Sequence, residues 1–238
     1  VTLAADLVLA NRILVDQGVL DAFGHVSARL TAGTFLLARN RAPGLVVESD
    51  LIEYRFDGST DDPRVGYLER FAHAEIYRAR PEVGAIVHSH SPSVVPLSTL
   101  PAGLRPLLHM AGFLGAAPVP VFEMREEFGD STDLLITSTS HGRALADTLG
   151  ERAAALMRGH GAVVVGSDLP TAVFRAVYTE LNAQAQVRAM MIGQPNYLTP
   201  GEARATSESI GGQIGRAWDA WGSVVSSRSR LGAEATSS

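Results

Sequence analysis

Apolar residues recur at helical spacing at the start of the chain. Leu3, Leu7, Ala10 and Leu14 are separated by Asp6, Asn11 and Arg12, and Gly18 sits where a helix would stop. The segments FGHVSARL, residues 23–30, and TFLLA, residues 34–38, alternate or run apolar with Gly33 between them, which predicts two strands joined by a turn. Residues 40–44, Asn-Arg-Ala-Pro-Gly, are loop chemistry. A helix is predicted over Leu68–Arg80, ended by Pro81. Gly84–His90 reads as a short buried strand ending in histidines. Pro118–Phe122 and Leu134–Thr137 read as weaker strands, and Gly142–Leu149 as a helix stopped by Gly150. Val163–Val165 is a β-branched strand, after which Asp168 is placed to cap a long helix over 170–192 that Gly193 closes. A last helix is expected from about Glu202 to Trp221.

Strands and helices alternate with no repeat and no Gly/Ser linker. One α/β domain over residues 1–222, its central sheet covered on both sides, is the expected organisation, with 223–238 as a mobile tail. No GxGxxG follows the first strand, so a dinucleotide fold is not supported.

Composition narrows the chemistry. The 238 residues are 46% hydrophobic and 19% charged, with a formal net charge of −5, so a basic footprint for nucleic acid is absent. No run of 18 apolar residues offers a membrane span, and no basic stretch followed by an apolar one opens the chain, so a cytoplasmic enzyme is the default expectation. There is no cysteine, which excludes disulfides, thiolate nucleophiles and thiolate metal sites. Lysine is absent too: all 20 basic residues are arginine. A side-chain Schiff base therefore cannot form, and carbanion chemistry would need another electron sink, of which a metal ion is the obvious one.

The histidines offer such a sink. His88 and His90 form H-x-H at a strand end, and residues two apart on a strand face the same way, roughly 6.5–7 Å apart. His160, flanked by glycines in RGHG just before another buried strand, is a turn histidine on its own and a third ligand if the fold brings it to the pair. Glu69 is a helix carboxylate 19 residues before His88. His73 lies one turn beyond it on the same face and reads more readily as a structural histidine than as a ligand.

Taken together, LERFAHAEIYRARPEVGAIVHSH and the distant LMRGHG, with 70 residues from His90 to His160 and FGHVSAR upstream, resemble the class II aldolase/adducin family over residues 3–195. The resemblance implies a three-layer α/β/α sandwich with a mixed, mostly antiparallel central sheet. It also implies one divalent metal ion per subunit held by His88, His90 and His160, and a glutamate, Glu69, that serves as acid/base or as fourth ligand. Family members are commonly homotetramers with active sites at subunit interfaces.

The chain departs from the family's sugar-phosphate members where those bind phosphate. His25 replaces an asparagine, Tyr67 and Leu68 stand where a pair of serines would precede the glutamate, and the Thr-Gly loop becomes residues 40–44. Too few compact donors remain for a phosphate dianion. Arg39 and Arg41 could hold a carboxylate, and Ser27 in the same turn as His25 is a further expected substrate contact. His109 falls beside the place of a proton-donating tyrosine that family members contribute from a neighbouring subunit. His25 and His109 are accordingly expected as proton donors or contacts to a substrate hydroxyl. These features are similar to a branch of decarboxylases acting on hydroxylated aromatic or pyridine carboxylates. The expected function is metal-dependent decarboxylation of such a small-molecule carboxylate, with Mn2+ or Zn2+ ahead of Fe2+. The alternatives are an aldolase for a non-phosphorylated hydroxy-keto acid, an iron-dependent oxygenase and a non-catalytic adducin-like module.

Overall fold

The computed structural model describes residues 2–236, with side chains through Arg228. The strands are β1 (His25–Arg29), β2 (Thr34–Ala38), β3 (Leu51–Arg55), β4 (Ala85–Ser89), β5 (Val121–Phe122), β6 (Ala154–Met157) and β7 (Gly161–Gly166). The helices are α1 (Leu3–Asp16), α2 (Arg70–Ala79), α3 (Val94–Leu97), α4 (Met124–Phe128), α5 (Thr139–Leu149), α6 (Leu169–Ile192), α7 (Pro200–Gly211) and α8 (Ile214–Thr236). The strands form one sheet in the order β3-β2-β1-β4-β7-β6-β5, antiparallel throughout except for the β5–β6 pair. This is the mixed, mostly antiparallel sheet expected.

Strand parity splits the core into two layers. Val26, Ala28, Ala85, Val87, Ala162 and Val164 pack with residues of α1, α6 and α8. Phe35, Leu37, Ile86, Val163 and Val165 pack with residues of α2 and α5 on the other face. The same alternation sends His25, Ser27 and His88 toward the α2 face, because each is one residue out of step with the first set. Register then places His25 directly opposite His88 on the neighbouring strand. Two glycines permit the close approaches. Gly24 has φ of 83° before β1, and a Cβ on Gly161 would come within 2.1 Å of the Ser89 carbonyl oxygen.

Several expectations need correction. Helix α2 begins at Arg70 rather than Leu68, so Glu69 is its N-cap residue. Residues 134–137 are not a strand, and Leu134 adopts a positive φ of 66°. The strands β3 and β6 were not anticipated. The C-terminal helix expected over 202–221 is two helices, of which the second runs to Thr236. The seating of α8 has a physical cause: Trp218, Trp221 and Val225 form one apolar stripe that packs against the α1/α6 layer. Residues 237 and 238 lie outside the described residues. Asp168 caps α6 as anticipated, accepting from the Thr171 N–H at 2.8 Å.

Candidate active site

Four side chains converge at the C-terminal end of β4, beside the start of α2. Glu69, His88, His90 and His160 each offer a ligand atom, and these atoms all lie within 4.8 Å of one another. His88 reaches the site from β4 and His90 from just past its end. His160 comes from the tight turn between β6 and β7, in which Gly159 takes φ of 67°. Glu69 arrives from the start of α2, where the helix field favours a negative charge; its side chain makes no capping bond and is free to face the histidines.

Backbone carbonyls fix how two of these rings are protonated. His88 Nδ1 lies 3.2 Å from the Ala162 carbonyl oxygen and His160 Nδ1 lies 2.9 Å from that of Leu134. A carbonyl only accepts, so each Nδ1 carries the ring proton and each Nε2 is left with a bare lone pair. The His88 and His90 Nε2 atoms are 3.2 Å apart, those of His90 and His160 are 3.0 Å apart, and Glu69 Oε2 is 3.3 Å from His88 Nε2. The bare lone pairs of His88 and His160, with the Glu69 carboxylate beside them, repel unless a cation or a proton on His90 Nε2 sits among them. Ligands at about 2.0–2.1 Å from a tetrahedral ion stand roughly 3.3–3.4 Å apart, close to the spacing seen, and the carbonyl contacts are the outer-shell bonds that metal-ligating histidines usually make. The residues present therefore fit a divalent metal.

Electrostatics agree. Burial takes His90 down to about 4 and also lowers His160, so both are neutral ligands at neutral pH. Burial pushes the Glu69 carboxyl up, but the imidazoles of His88, His160 and His25 outweigh that effect and hold it below the usual carboxylate range. One consequence is measurable in metal-free protein. Histidine in the unfolded chain takes up its proton near the ordinary value of about 6.5, whereas folded His90 and the fully enclosed His73, taken down to about 3 chiefly by burial, resist protonation. The unfolded state thus binds more protons over this window. Stability is fully present above about pH 6.5 and is lost as pH falls through about 4, with a slope of up to about 1.4 kcal/mol per pH unit for each enclosed imidazole. The melting temperature in chelator, followed from pH 8 to pH 4, should decline across this range. A flat profile would contradict the burial of these rings.

Other expected residues fall into distinct places. His25 is buried beside the cluster, with its Nε2 3.9 Å from Glu69 Oε2 and its ring tilted against that of Tyr67, centroids 4.6 Å apart. Burial, then the neighbouring His73 and His88, lower its pKa well below the ordinary value. Ser27 is corrected. It is fully buried behind His25, and its hydroxyl bonds His73 Nδ1 at 2.6 Å and the Tyr77 hydroxyl at 2.8 Å, so it is not placed to touch a substrate. Arg39 and Arg41 both pair with the buried Asp50 at 2.7 Å. Their loop is tied to the site by Tyr67, whose hydroxyl donates to the Arg41 carbonyl. Burial raises this phenol to about 12. His109 does not join its own chain's cluster. It is exposed, opening a short 3-10 turn (His109–Leu114), and lines a groove with Tyr178, Arg216 and Trp221.

Three features escaped the sequence reading. The Ile136 N–H donates to Glu69 Oε1 at 3.1 Å, and the Leu134 carbonyl orients His160. Both are backbone groups of a segment that reads as a strand, so no side-chain motif could announce them. Phe23, largely exposed with its ring 6.5 Å from that of His90, borders the site. Its place one residue before Gly24-His25 was the available signal.

The Class II Aldolase and Adducin N-terminal domain model matches residues 5–187. The chain belongs to this family. It is 39% identical over 236 residues to the decarboxylase tropJ of Talaromyces stipitatus, the match covering 88% of each chain. It is 29% identical to a 3,4-dihydroxyphthalate decarboxylase of Rhodococcus jostii, over 77% of this chain and 79% of that one. Among solved structures, the L-fuculose 1-phosphate aldolase of Glaciozyma antarctica superposes with a TM-score of 0.75 at 26% identity, covering 94% of this chain and 88% of the other.

Proposed function

We propose that the protein is a divalent-metal-dependent carboxy-lyase that removes CO2 from a hydroxylated aromatic or pyridine carboxylate. The observation that carries this reading is the Glu69–His88–His90–His160 cluster opening beside the rings of His25, Tyr67 and Phe23, in place of the small hydroxyls a sugar phosphate would need. The decarboxylase names of two relatives support it. Three imidazoles and a carboxylate suit manganese or zinc, with iron(II) behind them. Such an ion supplies an electron-withdrawing centre for the charge left on the substrate when CO2 departs.

The protein's own groups handle the proton. Glu69, ionised at rest, takes the proton of the substrate hydroxyl and returns it to the ring carbon once the carbon–carboxyl bond has broken and its electron pair has stayed on the ring. The Ile136 N–H holds the other carboxylate oxygen throughout. His25 contacts the substrate hydroxyl. Arg39 and Arg41 share the single carboxylate of Asp50, through Nε of the first and one terminal nitrogen of the second, and their remaining guanidinium N–H groups are the donors offered to a second substrate carboxylate. We extend the proposal to a homotetramer in which His109, exposed on its own chain, reaches a neighbouring copy's site and contacts the substrate hydroxyl there.

The test is to incubate metal-loaded protein with a panel of hydroxylated benzene- and pyridine-carboxylic acids and to measure CO2, aldehyde and dissolved oxygen together. CO2 release without oxygen uptake is expected. An aldehyde product would favour the aldolase, and oxygen consumption would favour the oxygenase.

A further inference from the structure

Behind the metal cluster, the chain buries a continuous line of polar groups, of which the steps above use only His25 at its near end. The Tyr77 hydroxyl lies 2.8 Å from Ser27 Oγ, Ser27 Oγ 2.6 Å from His73 Nδ1, and His73 Nε2 2.7 Å from His25 Nδ1. Tyr77, Ser27, His73 and His25 are all buried. At the far end, His25 Nε2 faces Glu69 across 3.9 Å.

Counting protons gives this line a direction. The Tyr77 phenol has one O–H and one hydrogen-bond partner among the described residues, Ser27, so it donates there. Ser27 then has its own proton left for its second partner, His73 Nδ1. A neutral His73 accepting at Nδ1 carries its proton on Nε2 and donates it to His25 Nδ1. A neutral His25 accepting at Nδ1 carries its proton on Nε2. Reversing the line would leave the Tyr77 O–H buried with no acceptor, an arrangement native interiors avoid.

We propose that Tyr77, Ser27 and His73 act as positioning residues that lock His25 in its Nε2–H form, so that a hydrogen-bond donor always faces the pocket beside Glu69. The donor suits an anionic oxygen of the substrate, a carboxylate or phenolate oxygen, and could not be supplied by the opposite tautomer. This choice of substrate oxygen and the kcat readout below rest on the decarboxylase reading; the tautomer stands on the buried hydrogen bonds alone.

The experiment is long-range 1H–15N correlation on full-length protein labelled with 15N-histidine and loaded with diamagnetic zinc, without substrate. His25 and His73 are each expected to show a protonated Nε2 and an unprotonated Nδ1 at neutral pH. Protonation of Nδ1 on either ring overturns the proposal. In Ser27→Ala, which removes the central link, the second tautomer of His25 should appear while zinc content stays at the wild-type level, and kcat should fall in proportion to the Nε2–H fraction, about twofold for an even split. A His25 spectrum unchanged in this variant would also overturn the lock. Should Ser27→Ala fail to fold, His73→Gln decides in its place. Its amide can accept from Ser27 and donate to His25, so His25 should remain Nε2–H, and conversion to Nδ1–H counts against the relay. If the wild-type tautomers are as expected but no hydroxyaromatic acid releases CO2, the functional reading fails and the lock survives.

Discussion

Alanine at His88 should abolish both metal binding and turnover. The substitution removes the ring that stands closest to Glu69 Oε2, at 3.3 Å, and that meets His90 at 3.2 Å. It leaves a buried carboxylate facing two imidazoles instead of three. A metal ion contributes several kcal/mol of charge stabilisation, so kcat/KM is expected to fall by roughly 10^3-fold or more. Elemental analysis of the purified variant, beside CO2 release from the best substrate, measures both halves of the expectation. A variant that retains wild-type metal content would show that the ion is held elsewhere. Wild-type turnover without metal would remove the ion from the chemistry.

The second large effect should separate proton transfer from metal binding. In Glu69→Gln the amide oxygen can keep the bond from the Ile136 N–H, and the three imidazoles are untouched. Metal should therefore remain bound while kcat falls about 10^2- to 10^4-fold, the range that a positioned acid/base group contributes. Loss of metal in this variant would make Glu69 primarily a ligand. A kcat within a few-fold of wild type would hand the proton to another group.

The His–Glu cluster was legible in the sequence chiefly through the family resemblance, with two local signals beside it. H-x-H needs only the two-residue period of a strand, and GHG announces a turn that closely approaches its neighbour: a Cβ added at Gly161 would come within 2.1 Å of the Ser89 carbonyl oxygen. The layered fold was legible through the same periodicity. What escaped notice depended on tertiary neighbours. Ala154–Met157 has no β-branched residue and became a strand because β7 pairs with it. Leu134–Thr137 is apolar enough for a strand, yet its irregular backbone delivers an N–H to Glu69 and a carbonyl to His160. Ser27 looked like a substrate contact because a hydroxyl beside His25 invites that reading. Only the placement of α2 shows that His73 and Tyr77 claim it from the other side. Arg39 and Arg41 were visible as cations, whereas their shared counter-ion Asp50 comes from the next turn of chain.

The pairing of His25 with His88 across β1 and β4 restricts how this protein can diverge. A single inserted or deleted residue in β4 before His88 would turn every later side chain of that strand over to the opposite layer, burying an imidazole among the aliphatic residues of α1 and α6, and one in β1 after His25 would turn Ser27 and Arg29 away from Tyr77 of α2. Length variation among functioning relatives should therefore be confined to the connections outside residues 25–29 and 85–89, while substrate preference drifts through the loops that border the pocket.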